Sequence, residues 1–212
     1  MGTSWYPVNL DLRGRRCLVV GAGSVAVDKV DGLLDAGAEV VVVAPRAVPA
    51  IAERAAAGEV ELASRPYADA DLDGVWYVVA ATGDPAVNAA VRAAADVRHV
   101  FVNAADDTAS CTAILPSRLR RGDLLVTFST GGTSPALSKW LRRQAEQTYG
   151  PEYETLTTLL GRVRRERQAR GASSDPRGWQ RALDSGILDL VRQGRTADAK
   201  ELLDACLSSS SA

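Results

Sequence analysis

The chain has 212 residues, 46% of them hydrophobic and 24% charged, a composition suited to a globular protein with one sizeable core or two small ones. A formal net charge of −1 gives no electrostatic support to a nucleic-acid or membrane-surface partner. No apolar run approaches the ~20 residues needed to cross a bilayer, the first residues lack the apolar core of a signal peptide, and the cysteines form no C-x-x-C pair; a cytoplasmic protein is expected.

In chain order, the first half alternates β-branched runs with helical patterns. "CLVV" (17–20) leads into "GAGSVA" and then helical spacing through Val27, Val30, Leu33 and Leu34 to Gly37. "EVVVVAP" (39–45) precedes an Ala-rich helix ending near Gly58 and a short run, "VELAS". "VWYVVAAT" (75–82) leads into "GDPAVNAAVRAAA", and "HVFV" (99–102) leads into "NAADDTASCTAILP". Runs unbroken by polar residues suit strands covered on both faces, and the helix between each pair makes βαβ units. The expected fold is therefore α/β: a Rossmann-like, doubly wound parallel sheet over residues 1–112. After it, two short apolar runs flank "RRGD", followed by a glycine turn and a helix with Ser134 at the N-cap and Pro135 at its first position. This small α+β segment, 113–149, is too little for an independent core and is expected to lean on a second subunit. Residues 150–212 are expected to form a helical C-terminal domain. One helix is read over "ETLTTLLGRVRRERQAR", one through Leu183, Ile187, Leu190 and Val191, and one through Ala199, Leu202, Leu203 and Cys206.

The glycine loop carries the first chemical signal. Gly21-x-Gly23-x-x-Ala26 follows a strand pattern and opens a helix. Gly21 permits the tight turn, Gly23 lets backbone approach a pyrophosphate, and Ala26 permits close helix–strand packing. The end of the second strand, where NAD binders carry a ribose-binding carboxylate, reads Ala44-Pro45-Arg46 instead. Arg46 meets a 2′-phosphate or is a solvated loop charge, so this position leaves NAD and NADP both open. The second signal is the pair Asp106 and Asp107 at a strand end, since carboxylates are costly to bury unpaired. The pair is either an Asx-type turn or part of a site, where a carboxylate is a competent base, and Cys111 is read as a packing residue. Trp5, Trp76, Trp140 and Trp179 are read as packing, and His99, the sole histidine, as structural.

The chain resembles the precorrin-2 dehydrogenase and sirohydrochlorin ferrochelatase family, which includes the N-terminal half of siroheme synthases. The resemblance rests on "YPVNLDLRGRRCLVVGAGSVAVDKV", "VVVAP", "VVAATGDPAVN", "VNAADDTASCTAILPS" and "STGGTSPALSKWLR", in order over about residues 5–145. It implies NAD-dependent oxidation of precorrin-2 to sirohydrochlorin and, in some members, insertion of ferrous iron, with ferrous or cobaltous ion as substrate and no resident metal. It also implies a homodimer interlocked through the middle segment. By the same resemblance Asp106 is catalytic, and Gly21, Gly23, Ser24, Val25, Pro45, Arg46, Ala81 and Thr82 border the cofactor. Ser129, Thr130, Gly131, Gly132, Thr133, Ser134 and Lys139 would line the tetrapyrrole cleft. Arg118, Arg120, Arg121, Arg142 and Arg143 are further candidates for pairing with substrate carboxylates. Departures from the family are Asp28 in place of a basic residue, Thr130 in place of serine, and the missing aromatic and proline in "DDTASCTAILP". Two other readings stand beside this one: a chelatase-like protein acting on another tetrapyrrole, and a non-catalytic dinucleotide-sensing domain. The "GGTSPALS" segment argues against the latter.

Overall fold

The computed structural model describes residues 5–105, 107–172 and 176–208. The chain divides into two compact units, Met1–Leu115 and Pro116–Ala212. The first unit runs β1 (Arg16–Val20), α1 (Ser24–Leu34), β2 (Glu39–Val43), α2 (Pro49–Ala56), β3 (Glu61–Ala63), β4 (Tyr77–Ala80), α3 (Pro85–Val97) and β5 (Phe101–Ala104). All five strands are parallel and ordered β3-β2-β1-β4-β5, so the chain reverses its direction of travel across the sheet between β1 and β4.

The valine-rich runs are buried on both faces, as parallel strands flanked by helices must be. Cys17 and Val19 of β1 face Ala26, Val30 and Leu33 of α1 and Ile51 of α2 in one core layer. Leu18 and Val20 face Val91, Ala94 and Ala95 of α3 in the other. Each fully buried Val or Leu contributes roughly 1.5–3 kcal/mol relative to exposure, which is what holds the layers together.

Two sequence expectations are corrected here. The strand in "HVFV" begins two residues later, at Phe101. His99 adopts a left-handed φ of 55°, and the Val100 N–H bonds back to Ala95 O at 3.0 Å, so His99 and Val100 close the end of α3. Trp76 does not pack inward either. It is 52% exposed, with the Arg15 guanidinium 4.0 Å above its ring, a cation–π contact at the surface.

The second unit opens with an antiparallel hairpin of β6 (Ser117–Arg121) and β7 (Leu124–Phe128), turning at Gly122 with φ 55°. It continues with α4 (Pro135–Thr148), α5 (Glu152–Ala169), α6 (Pro176–Asp184), α7 (Ile187–Arg192) and α8 (Thr196–Ser208). Leu156, Leu159 and Val163 of α5 pack with Ala182, Ile187, Val191, Ala199 and Leu203 in its core. The single helix expected through Leu183 and Val191 is two helices. Gly186 sits between them at φ 85°, a left-handed conformation that ends one helix and starts the next, and it turns Leu183 outward. Trp140 on α4 is 50% exposed, so the packing reading fails there as well, whereas Trp5 and Trp179 lie partly buried against core clusters.

Candidate functional site

The loops at the carboxyl ends of β1, β2, β4 and β5 are tied to one another in register. Gly21 N–H donates to Val43 O at 2.9 Å, Ala81 N–H to Val20 O at 2.8 Å, and Ala105 N–H to Ala80 O at 2.9 Å. Gly21, Pro45, Arg46, Ala81 and Thr82 are thereby gathered along one edge, at the point where strand order reverses. Open α/β sheets bind their ligands there. The groove lined by Leu10, Arg15, Trp76, Arg98 and Phe101 lies at the opposite, amino end of the sheet.

The two glycines do different work. Gly21 has φ +104°, and a Cβ there would lie 2.3 Å from Ala81 O. It is what allows the loops after β1 and β4 to touch. Gly23 has an ordinary φ of −86° and nothing within 4 Å of a built Cβ, so its lack of a side chain leaves open space over the start of α1. No side chain caps that helix, and Ser24 and Val25, exposed in its first turn, present N–H groups without intrahelical partners. Open space beside uncapped N–H groups at the positive end of a helix fits a pyrophosphate. Ala26 is fully buried, as close packing of α1 on the sheet requires. Arg46 is exposed, and so is Asp28, the departure on α1.

The Thr82 hydroxyl is engaged within its own turn. It donates to Asn88 Oδ1 at 2.7 Å, and Asn88 Nδ2 donates back to Thr82 O at 3.1 Å. Asp84 then caps α3 by accepting the Ala86 N–H at 2.9 Å. Sequence reasoning passed over Asn88, although an Asn six residues after a strand-end Thr is a readable turn signal.

At the end of β5, Asp106 lies outside the described residues. Asp107 caps the following 3-10 turn: its carboxylate accepts the Ala109 N–H at 3.1 Å and the Ser110 hydroxyl at 2.5 Å. Ser110 in particular holds the Asp107 carboxyl below its ordinary range. Cys111 is buried, and burial pushes its thiol up, so it stays protonated. Asn103, also buried, donates to Ala113 O at 3.1 Å while its Oδ1 has no protein partner.

In the second unit, the loop Ser129–Ser134 is wound by Gly131 and Gly132 at φ 62° and 89°. The Ser129 hydroxyl accepts the Gly131 N–H at 3.2 Å, and Thr130 Oγ1 accepts the Ser134 N–H at 2.9 Å. The hydroxyl kept by the serine-to-threonine departure is thus used to build the loop. Ser134 caps α4 by accepting the Leu137 N–H at 3.3 Å, and Lys139 is exposed one turn further on. Arg121 bonds Tyr149 O at 3.0 Å, and Arg142 pairs with Glu146, while Arg118, Arg120 and Arg143 are exposed. Among the described residues no group of three or more His, Cys, Asp or Glu is placed to hold a metal ion, and no helix is long and apolar enough to cross a membrane.

A family model described as "Putative NAD(P)-binding" matches residues 8–117. The chain is 39% identical over 203 residues to the siroheme synthase of Methylococcus capsulatus, covering 94% of this chain and 42% of that protein. It is 38% identical over 198 residues to the siroheme synthase of Chromobacterium violaceum, covering 92% and 42%. The chain thus spans less than half the length of these curated relatives. The solved structure of SirC, a precorrin-2 dehydrogenase, superposes with a TM-score of 0.73 at 30% identity, covering 95% of this chain and 98% of that one. The matched region is thus a nicotinamide dinucleotide-binding one, with NAD as its cofactor. The chain belongs to the precorrin-2 dehydrogenase family, the family that also forms the N-terminal half of siroheme synthases.

Proposed function

We propose that this chain oxidises precorrin-2 to sirohydrochlorin with NAD, with Asp106 as the base. The observation carrying the proposal is the convergence of the pyrophosphate cradle at Gly23 with the ends of β4 and β5 on one edge of the sheet. Similarity to SirC over nearly its whole length supports the same reading. NAD, when bound, supplies the hydride acceptor. Gly23, Ser24 and Val25 hold its phosphates, Pro45 and Arg46 border its adenosine half, and Ala81 and Thr82 border the other half. The oxidation also releases a proton from the macrocycle. The carboxylate of Asp106, the residue that follows Ala105 in sequence, is a competent acceptor.

In the second unit the loop Ser129–Ser134 and Lys139 hold the polycarboxylate substrate. The segment 113–149 forms a homodimer, for which the exposed Leu137 and Trp140 supply apolar surface, and the helical part, 150–212, completes the subunit in the cytoplasm. Iron insertion into the product is a further part of the proposal, with the metal ion as substrate. Anaerobic incubation with precorrin-2 and NAD, followed by absorbance, should give sirohydrochlorin, and then siroheme when ferrous ion is added; a cobalt chelate with cobaltous ion would show a broader metal range. Asp106→Asn should lower turnover by about 10²–10⁴ while NAD affinity stays unchanged. No turnover by the wild-type chain with either NAD or NADP would overturn the reading. Analytical ultracentrifugation tests the dimer.

A further inference from the structure

The turn after β2 is tied to the glycine loop at both of its ends. Gly21 N–H donates to Val43 O at 2.9 Å, and Val48 N–H donates to Ala22 O at 3.0 Å. The residues between them, Ala44-Pro45-Arg46-Ala47, therefore lie beside the glycine loop. In dinucleotide folds this turn meets the adenosine ribose, the one place where NAD and NADP differ. An NAD-selective fold puts a carboxylate there. It accepts a hydrogen bond from the ribose 2′-hydroxyl and repels the 2′-phosphate of NADP, so repulsion supplies part of the selectivity.

Nothing on this turn repels a phosphate. Ala44 is small and buried, Pro45 and Arg46 are exposed, and α2 has no acidic residue in its first turn. Two carboxylates on neighbouring segments are engaged elsewhere: Asp31 accepts from Arg54 Nε at 2.9 Å, and Asp71 from Arg65 Nη1 at 2.9 Å. Arg46 has no hydrogen-bond or ion-pair partner among the described residues, so its guanidinium is available to an added anion. Guanidinium and phosphate match through parallel, charge-assisted hydrogen bonds.

We infer that this chain binds NADP as well as NAD, and that Arg46 is the specificity-determining residue, pairing with the 2′-phosphate. With NAD, which carries a hydroxyl at that position, Arg46 stays in solvent. The inference rests on the reading of the glycine loop as the dinucleotide cradle.

The test is isothermal titration calorimetry of the full-length wild-type chain, Arg46→Ala and Arg46→Glu with NAD and with NADP, without any tetrapyrrole. Wild type should bind NADP within about tenfold of its affinity for NAD. Arg46→Ala should lose about tenfold in NADP affinity, the size of one charge-assisted contact, with NAD affinity held within about twofold. Arg46→Glu restores the repulsion and should lose about a hundredfold for NADP while NAD binding holds or tightens. Wild-type NADP affinity more than about tenfold below that for NAD would overturn the inference. Arg46→Ala losses that are the same for both coenzymes, or absent for NADP, would overturn the role of Arg46. Failure of the wild-type chain to bind NAD at all would instead overturn the cradle reading, and the inference with it.

Discussion

The two glycines of the cofactor loop should fail in opposite ways when each is replaced by alanine. At Gly21, φ is +104° and the new Cβ would sit 2.3 Å from Ala81 O and 2.7 Å from the carbonyl carbon. The backbone conformation costs an L residue roughly 1–3 kcal/mol. The obstacle is main chain at the end of β4, so relief requires separating two hydrogen-bonded strand ends, which adds about 1–3 kcal/mol. A total of roughly 2–6 kcal/mol, at about 4 °C per kcal/mol, lowers the melting temperature of the first unit by about 8–24 °C. At Gly23 neither cost arises, because φ is −86° and a Cβ meets nothing within 4 Å. Gly23→Ala should melt within about 2 °C of wild type, but its methyl group fills the space over the helix N-terminus and should weaken NAD binding by at least about tenfold. Differential scanning calorimetry and NAD titration of the two variants suffice. A Gly21→Ala protein melting like wild type, or a Gly23→Ala protein with unchanged NAD affinity, would refute the division of labour.

Other consequences follow from single side chains. Burial pushes the Cys17 thiol up to about 11 from an ordinary value near 9. The native state keeps a proton that the unfolded chain releases in that interval, so stability should fall as pH rises from about 9 to 11, by about 2–3 kcal/mol in all. Urea unfolding across that range should show a flatter pH dependence in Cys17→Ala, and an identical slope would remove Cys17 as the cause. Ser134→Ala deletes the cap on α4 and should cost about 1 kcal/mol, read as a small fall in melting temperature. Leu203 is fully buried in the second unit, so Leu203→Ala should cost about 2–5 kcal/mol there by denaturant unfolding.

Much of the fold was legible because its signals are local. The unbroken runs at 17–20 and 39–43 announce strands covered on both faces, and Gly21-x-Gly23-x-x-Ala26 announces a turn into a helix. Ser134-Pro135 marks the start of α4 to the residue. Misreadings came where a nonlocal contact or a special backbone angle decides. Periodicity carried the pattern from Leu183 to Val191 across Gly186, whose left-handed conformation divides it. The run "HVFV" was also drawn too long, since its strand starts at Phe101 and His99 ends a helix. Trp76 looked like core because tryptophan is apolar, but its ring faces outward beneath Arg15.

By itself the sequence determined the α/β class, the glycine turn and the family, because each is written in residue type and short-range spacing. Only the tertiary structure decided that Gly21 spares Ala81 a collision, and that the Thr82 hydroxyl is committed to its own turn. Those facts depend on atoms from different strands and turns arriving within hydrogen-bond distance. No spacing along one segment encodes such an approach.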